Sequence, residues 1–112
     1  MLTMPIKQTT KYQQEIKDTL KSALWLIENV GWCKNRSVKS KGGYPVAYCA
    51  TGAIDAVTSV QDYVPVHRRL AKAVPGGYLS QHVVAFNDRK STTKDDIVKM
   101  YKKAIRSVEK GR

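Results

Sequence analysis

The chain of 112 residues is short of acid, of sulfur and of long apolar runs. Nine Asp and Glu stand against twenty Lys and Arg, leaving a formal net charge of +11. A surface of that sign attracts phosphate, acidic protein or anionic membrane rather than basic partners. Two cysteines, Cys33 and Cys49, are too few for a disulfide framework. Uncharged apolar runs such as Ala23 to Ile27 fall far short of the ~20 residues that cross a bilayer, so no membrane insertion is expected. The opening Met-Leu-Thr-Met-Pro has neither a basic stretch nor a continuous apolar one, as an export signal would. A cytoplasmic protein with reduced thiols is the expectation.

Chemistry-bearing motifs are also missing. There is no phosphate loop, dinucleotide fingerprint or H-E-x-x-H, and no cofactor is implied. Cys33, Cys49, His67 and His82 are the only soft ligands, and they lack the close pairs that zinc sites use. One constellation merits weighing. Cys49 lies near a helix start, where a thiol is acidified, and His82 with Asn87 or Asp88 would complete a Cys-His-amide set. Against it, a small thiol among Ala53, Ala56 and Val60 is ordinary packing. Asn87 and Asp88, following Phe86 where an element ends, read as residues that satisfy loop backbone.

What is present is the pattern of a small globular domain spanning 1–112, at 42% apolar residues and without repeats. Tyr12, Ile16, Leu20, Ala23, Leu24, Ile27 and Val30 recur at steps of three and four, and Gly31 follows as a C′ residue should. Trp25 falls off that stripe. It is either covered by the N-terminal segment or the loop after Tyr44, or it is an exposed anchor for a partner. Lys34, Arg36, Lys39 and Lys41 make a basic loop over 34–43 that ends in Gly42-Gly43. Val46 to Val60 reads as a buried central helix with Cys49, Ala53, Ala56, Val57 and Val60 on one face. Its β-branched residues make a strand the competing reading. Pro65 opens a short helix through Val74 with Leu70, Ala71 and Val74 inward, and Tyr78 to Phe86 reads as another, with a strand over Val83 to Phe86 as the competing reading. Asn87 to Thr92 is then a loop. Thr93-x-x-Asp96 has the form of a capping box ahead of a helix over 93–110. On that helix, Ile97, Val98, Met100, Tyr101, Ala104, Ile105 and Val108 share about 160° of arc. Lys99, Lys102, Lys103, Arg106 and Lys110 oppose them. The fold class is mainly α, one domain of about five helices.

Charge is not spread evenly. Residues 1–45 carry net +5, residues 46–88 are neutral, and residues 89–112 carry net +6. If the first and last helices pack together, their outer faces and the Lys34 loop merge into one positive surface. Solubility alone would also use such a surface. Fourteen Lys against six Arg, and no aromatic residue on the lysine face of the last helix, point away from base readout.

Three segments in order, Gly31-Trp32-Cys33, Tyr48-Cys49-Ala50-Thr51-Gly52-Ala53 and Phe86-Asn87-Asp88 with Thr92-Thr93, resemble an uncharacterised family of small phage and bacterial proteins. The resemblance implies a compact helical unit, often phage-borne, and supplies no catalytic residues. The basic loop and basic last helix are not features of that resemblance and mark this member's own task. The expected function is a non-enzymatic basic module docking on nucleic acid, a nucleoprotein or an acidic host protein. The alternatives are a host-protein inhibitor anchored by Trp25, and a small cysteine-dependent enzyme.

Overall fold

Thr10 opens the first helix through a reciprocal cap. Its hydroxyl accepts from the Gln13 N–H at 3.0 Å, and the Gln13 side chain accepts from the Thr10 N–H at 3.0 Å. The helix, α1 (Lys11–Asn29), buries Ile16, Leu20, Ala23, Leu24 and Ile27. Those residues sit three or four apart, so they form one face. Tyr12 and Val30, at the ends of the expected stripe, are exposed. The computed structural model describes residues 10–76 and 80–110.

After α1 come β1 (Val38–Lys41), β2 (Tyr44–Tyr48), α2 (Ala50–Val57), α3 (Tyr63–Ala71), α4 (Ser80–Asp88) and α5 (Lys94–Glu109). The fold is mainly α: among the described residues, five helices surround one core, with a two-stranded antiparallel hairpin added. α1 packs along α5 and against α2. The interior is closed by Leu20, Ile27, Ile54, Leu70, Ile97 and Tyr101, all fully buried.

The hairpin corrects two expectations. The segment 34–43 is not simply a flexible loop, because Val38–Lys41 is a strand paired with β2. Gly42 and Gly43 both take positive φ, at 60° and 84°. Two such residues form the turn that matches strand twist, and only glycine adopts it without strain. Nor is Val46 to Val60 one helix. The competing strand reading holds through Tyr48, and the helix begins at Ala50. The expected inward face fails with it: Ala56 is exposed and Val60 is 93% exposed, whereas Ala53 and Ile54 are buried. Cys49 is the residue that switches the chain from strand to helix. Its backbone is extended and its thiol accepts from the Gly52 N–H at 3.3 Å.

The later helices shift by a few residues. α3 starts at Tyr63, two before Pro65, whose missing N–H costs nothing within the first turn. α4 extends through Asp88, so Asn87 lies in its last turn and not in a loop, while Tyr78 lies outside the described residues. The capping box at Thr93 forms in full, with both hydrogen bonds to Asp96 present, and the Thr93 backbone and hydroxyl hold the Asp96 carboxyl below its usual range. α5 buries Ile97, Met100, Tyr101, Ala104, Ile105 and Val108, as its sequence periodicity predicts.

Candidate functional site

The three short segments singled out in the sequence lie far apart along the chain and meet at one side chain. Asn87 is 1% exposed. Its Oδ1 accepts from the Trp32 indole N–H at 2.7 Å and from the Ala50 backbone N–H at 3.0 Å. Its Nδ2 donates to the Cys33 carbonyl at 3.1 Å and to Asp88 Oδ1 at 2.9 Å. The C-terminal turn of α4 therefore carries an amide that ties the exit of α1 to the start of α2. Asp88 adds the Asn35 N–H at 2.8 Å, and the Tyr101 hydroxyl donates to the Ala50 carbonyl from α5. Asn87 is structural, as its sequence position suggests, but it serves distant backbone as well as its own turn.

Above this node lies an open groove of about 480 Å³, lined by Trp32, Cys33, Lys34, Arg36, Lys39, Val46 and Ala47. Three of the candidate cations meet here, and among the described residues no carboxylate lines the groove. Lys34 is fixed in place. Its ammonium donates to the Arg89 carbonyl at 2.6 Å and the Lys90 carbonyl at 3.2 Å, and lies 5.5 Å from the Trp32 ring centre. Carbonyls just past a helix C-terminus favour a cation, so much of this charge is used in docking the loop. Arg36, Lys39 and Lys41 are exposed.

The second cationic region is α5. Lys99, Lys102, Lys103, Arg106 and Lys110 are all exposed. Among the described residues, the side-chain ion pairs are Lys17–Glu109 at 3.0 Å and the histidine pair Asp55–His67 at 2.8 Å, so none of the five is neutralised by direct pairing. Lys103 also lines a smaller groove of about 210 Å³ with Arg69 of α3 and Lys72 at its C-cap. The hairpin packs on α1 and α2, whereas α5 packs on α1 and α3, and the two grooves share no residue. The cations lining the hairpin groove and those along α5 thus stand on different elements.

Trp25 stands 57% exposed on α1, beside Lys21, Ser22, Leu26 and Val57 in a shallow depression. The chain after Tyr44 is strand β2 and does not cover it; the N-terminal segment lies outside the described residues.

The cysteine constellation is not assembled. The Cys49 thiol is buried against the Thr51 hydroxyl and the Gly52 N–H, both at 3.3 Å, and Asn87 is fully engaged elsewhere. His82 lines a different groove with Val74, Pro75, Gly76, Ala85 and Arg89. Among the described residues there is no group of three or more potential metal ligands, and no helix is long and apolar enough to cross a membrane. Burial, followed by the neighbouring Cys49, pushes the Cys33 thiol above its ordinary range, which lowers its thiolate fraction. In a thiol-reagent assay at pH 7, Cys33 is expected to react more slowly than a free thiol, and Cys49 only on unfolding. Rapid labelling of Cys49 in the native protein would contradict this reading.

No curated protein and no solved structure is similar to the chain. Residues 11–107 match the model of a family of unknown function, DUF6197, and the chain belongs to that family.

Proposed function

We propose that this protein is a small, basic, non-enzymatic module that docks on nucleic acid, bare or within a nucleoprotein, through its phosphate backbone. One observation carries the reading: Lys99, Lys102, Lys103 and Arg106 of α5 and Lys110 at its C-cap are exposed, none directly paired with a carboxylate among the described residues. They lie opposite a fully used apolar face, so packing does not need them. Arg69 and Lys72 beside Lys103 widen the region beyond one helix. Lysines without interleaved aromatics act as point charges, suited to backbone and not to base edges. The reading sets the protein in the cytoplasm and, for a phage-borne member, on host nucleic acid.

Reversing Lys99, Lys103 and Arg106 to glutamate tests it. Retardation of a duplex at moderate salt should be abolished. Surface changes usually cost within about 0.5 kcal/mol each, so the melting temperature should move little. Milder neutral substitutions should each reduce the slope of log K against log salt by roughly one unit. No retardation by the wild-type protein at low salt would defeat the reading. A second reading, docking on a host protein, is favoured by the half-exposed Trp25 beside Leu26 and Val57. Salt-insensitive capture that is lost in Trp25→Ala would support it, because apolar docking does not weaken with salt as phosphate binding does.

A further inference from the structure

The hairpin region differs from α5 in the company its cations keep. On α5 no aromatic side chain stands among the exposed lysines. At the hairpin, two aromatic side chains stand beside basic ones, Tyr44 beside Lys41 and Trp32 beside Lys34. Tyr44, 75% exposed, is the direct cross-strand partner of Lys41. In the groove behind the hairpin, Trp32, Val46 and Ala47 supply an apolar wall beside Arg36 and Lys39.

Part of this surface is held rigid. The Trp32 indole is fixed by Asn87, and the Lys34 ammonium is held by two carbonyls against the same ring. Arg36 and Lys39 line the groove with no direct carboxylate partner among the described residues. The groove's volume of about 480 Å³ lies within the range of small-ligand sites, roughly 300–1,000 Å³, and gives room for a base with its phosphate. Exposed aromatics beside unpaired cations are the chemistry of single-strand binding, because every base has a face to stack and every linkage a charge to neutralise.

Building on the nucleic-acid reading above, we propose that the hairpin end is a single-strand site. Unpaired bases stack on Tyr44 and lie against the Trp32–Val46 wall, while Arg36, Lys39 and Lys41 take the phosphates. In a duplex the bases are already stacked and paired, so a duplex gains the phosphate contacts alone. α5 then supplies backbone affinity for either form, and the hairpin supplies the preference for unpaired strand.

The test compares three labelled probes by fluorescence anisotropy at low salt: a 20-nucleotide oligothymidine, an abasic strand with the same number of phosphates, and a 20-base-pair duplex. The wild-type protein should bind oligothymidine about tenfold more tightly than the abasic strand, the scale expected of one stacked base. Tyr44→Ala should bring oligothymidine down towards the abasic level, and circular dichroism confirms that the variant is folded. Arg36→Glu with Lys39→Glu should weaken both strands. As a second readout, oligothymidine should slow alkylation of Cys33, which lines the groove, more than duplex or polyglutamate does. Equal affinity for the base-bearing and abasic strands, or equal protection of Cys33 by polyglutamate, overturns the single-strand site. If duplex and abasic strand still bind in those cases, the α5 reading survives. If no probe binds, both readings fall.

Discussion

Asn87→Ala should remove about 3–5 kcal/mol from the unfolding free energy, seen as a lower urea midpoint with little change in slope. The reason is the number of groups left behind. The Trp32 indole N–H and the Ala50 N–H both lose their acceptor, and the Cys33 carbonyl loses its donor. The buried Ala50 N–H costs about 1–3 kcal/mol without a partner, and the half-buried Trp32 N–H and Cys33 carbonyl add less each because water reaches them from the groove. Domains of this size have about 5–15 kcal/mol in total, so the variant sits near the edge of folding. Near-ultraviolet circular dichroism of Trp32 should lose intensity even where the variant is still folded. A loss below about 1 kcal/mol would show that water replaces the amide at no cost and that Asn87 is not the clasp of these segments.

This clasp was only half legible in the sequence. Phe86-Asn87-Asp88 at the end of an element reads as local backbone satisfaction, and nothing in a single sequence says that the partners are Trp32, Cys33 and Ala50. The helices were more legible because periodicity is a local property. α1 and α5 show their buried faces at steps of three and four, and Thr93-x-x-Asp96 marks the start of α5. Thr10-x-x-Gln13 is the same signature at α1, missed because the apolar period drew the boundary first. The hairpin was the larger miss. Gly42-Gly43 between two short runs was a two-residue turn signal, masked by a basic composition that reads as loop. A bulge between Lys39 and Ser40 further breaks the alternation that would reveal β1. The cations were all visible as residues, but which of them line the groove depends on how the hairpin packs on the helices, and that is a tertiary fact.

Gly52→Ala carries the second large effect, and local propensity predicts the wrong sign for it. In the first turn of a helix, alanine is preferred to glycine by as much as ~1 kcal/mol. Here the hairpin backbone lies directly on the glycine. A Cβ at Gly52 would stand 2.8 Å from the Ser37 carbonyl carbon and overlap its oxygen, and backbone atoms cannot rotate aside. That oxygen also accepts the Cys49 N–H at 2.9 Å, the bond that seats the hairpin on the start of α2. The hairpin must therefore lift, losing this bond and the close packing together. A net destabilisation of about 2–4 kcal/mol is expected, at the upper end of what overpacking costs. The displaced part carries Arg36 and Lys39, whereas the α5 face rests on α1 and α3 and is not disturbed. Below its lowered melting temperature, Gly52→Ala should lose preference for unpaired strand and still retard a duplex as the wild-type protein does. A fully stable variant with unchanged strand preference would mean that the hairpin can tilt away from α2 freely, and that Ser37 does not fix the position of the groove.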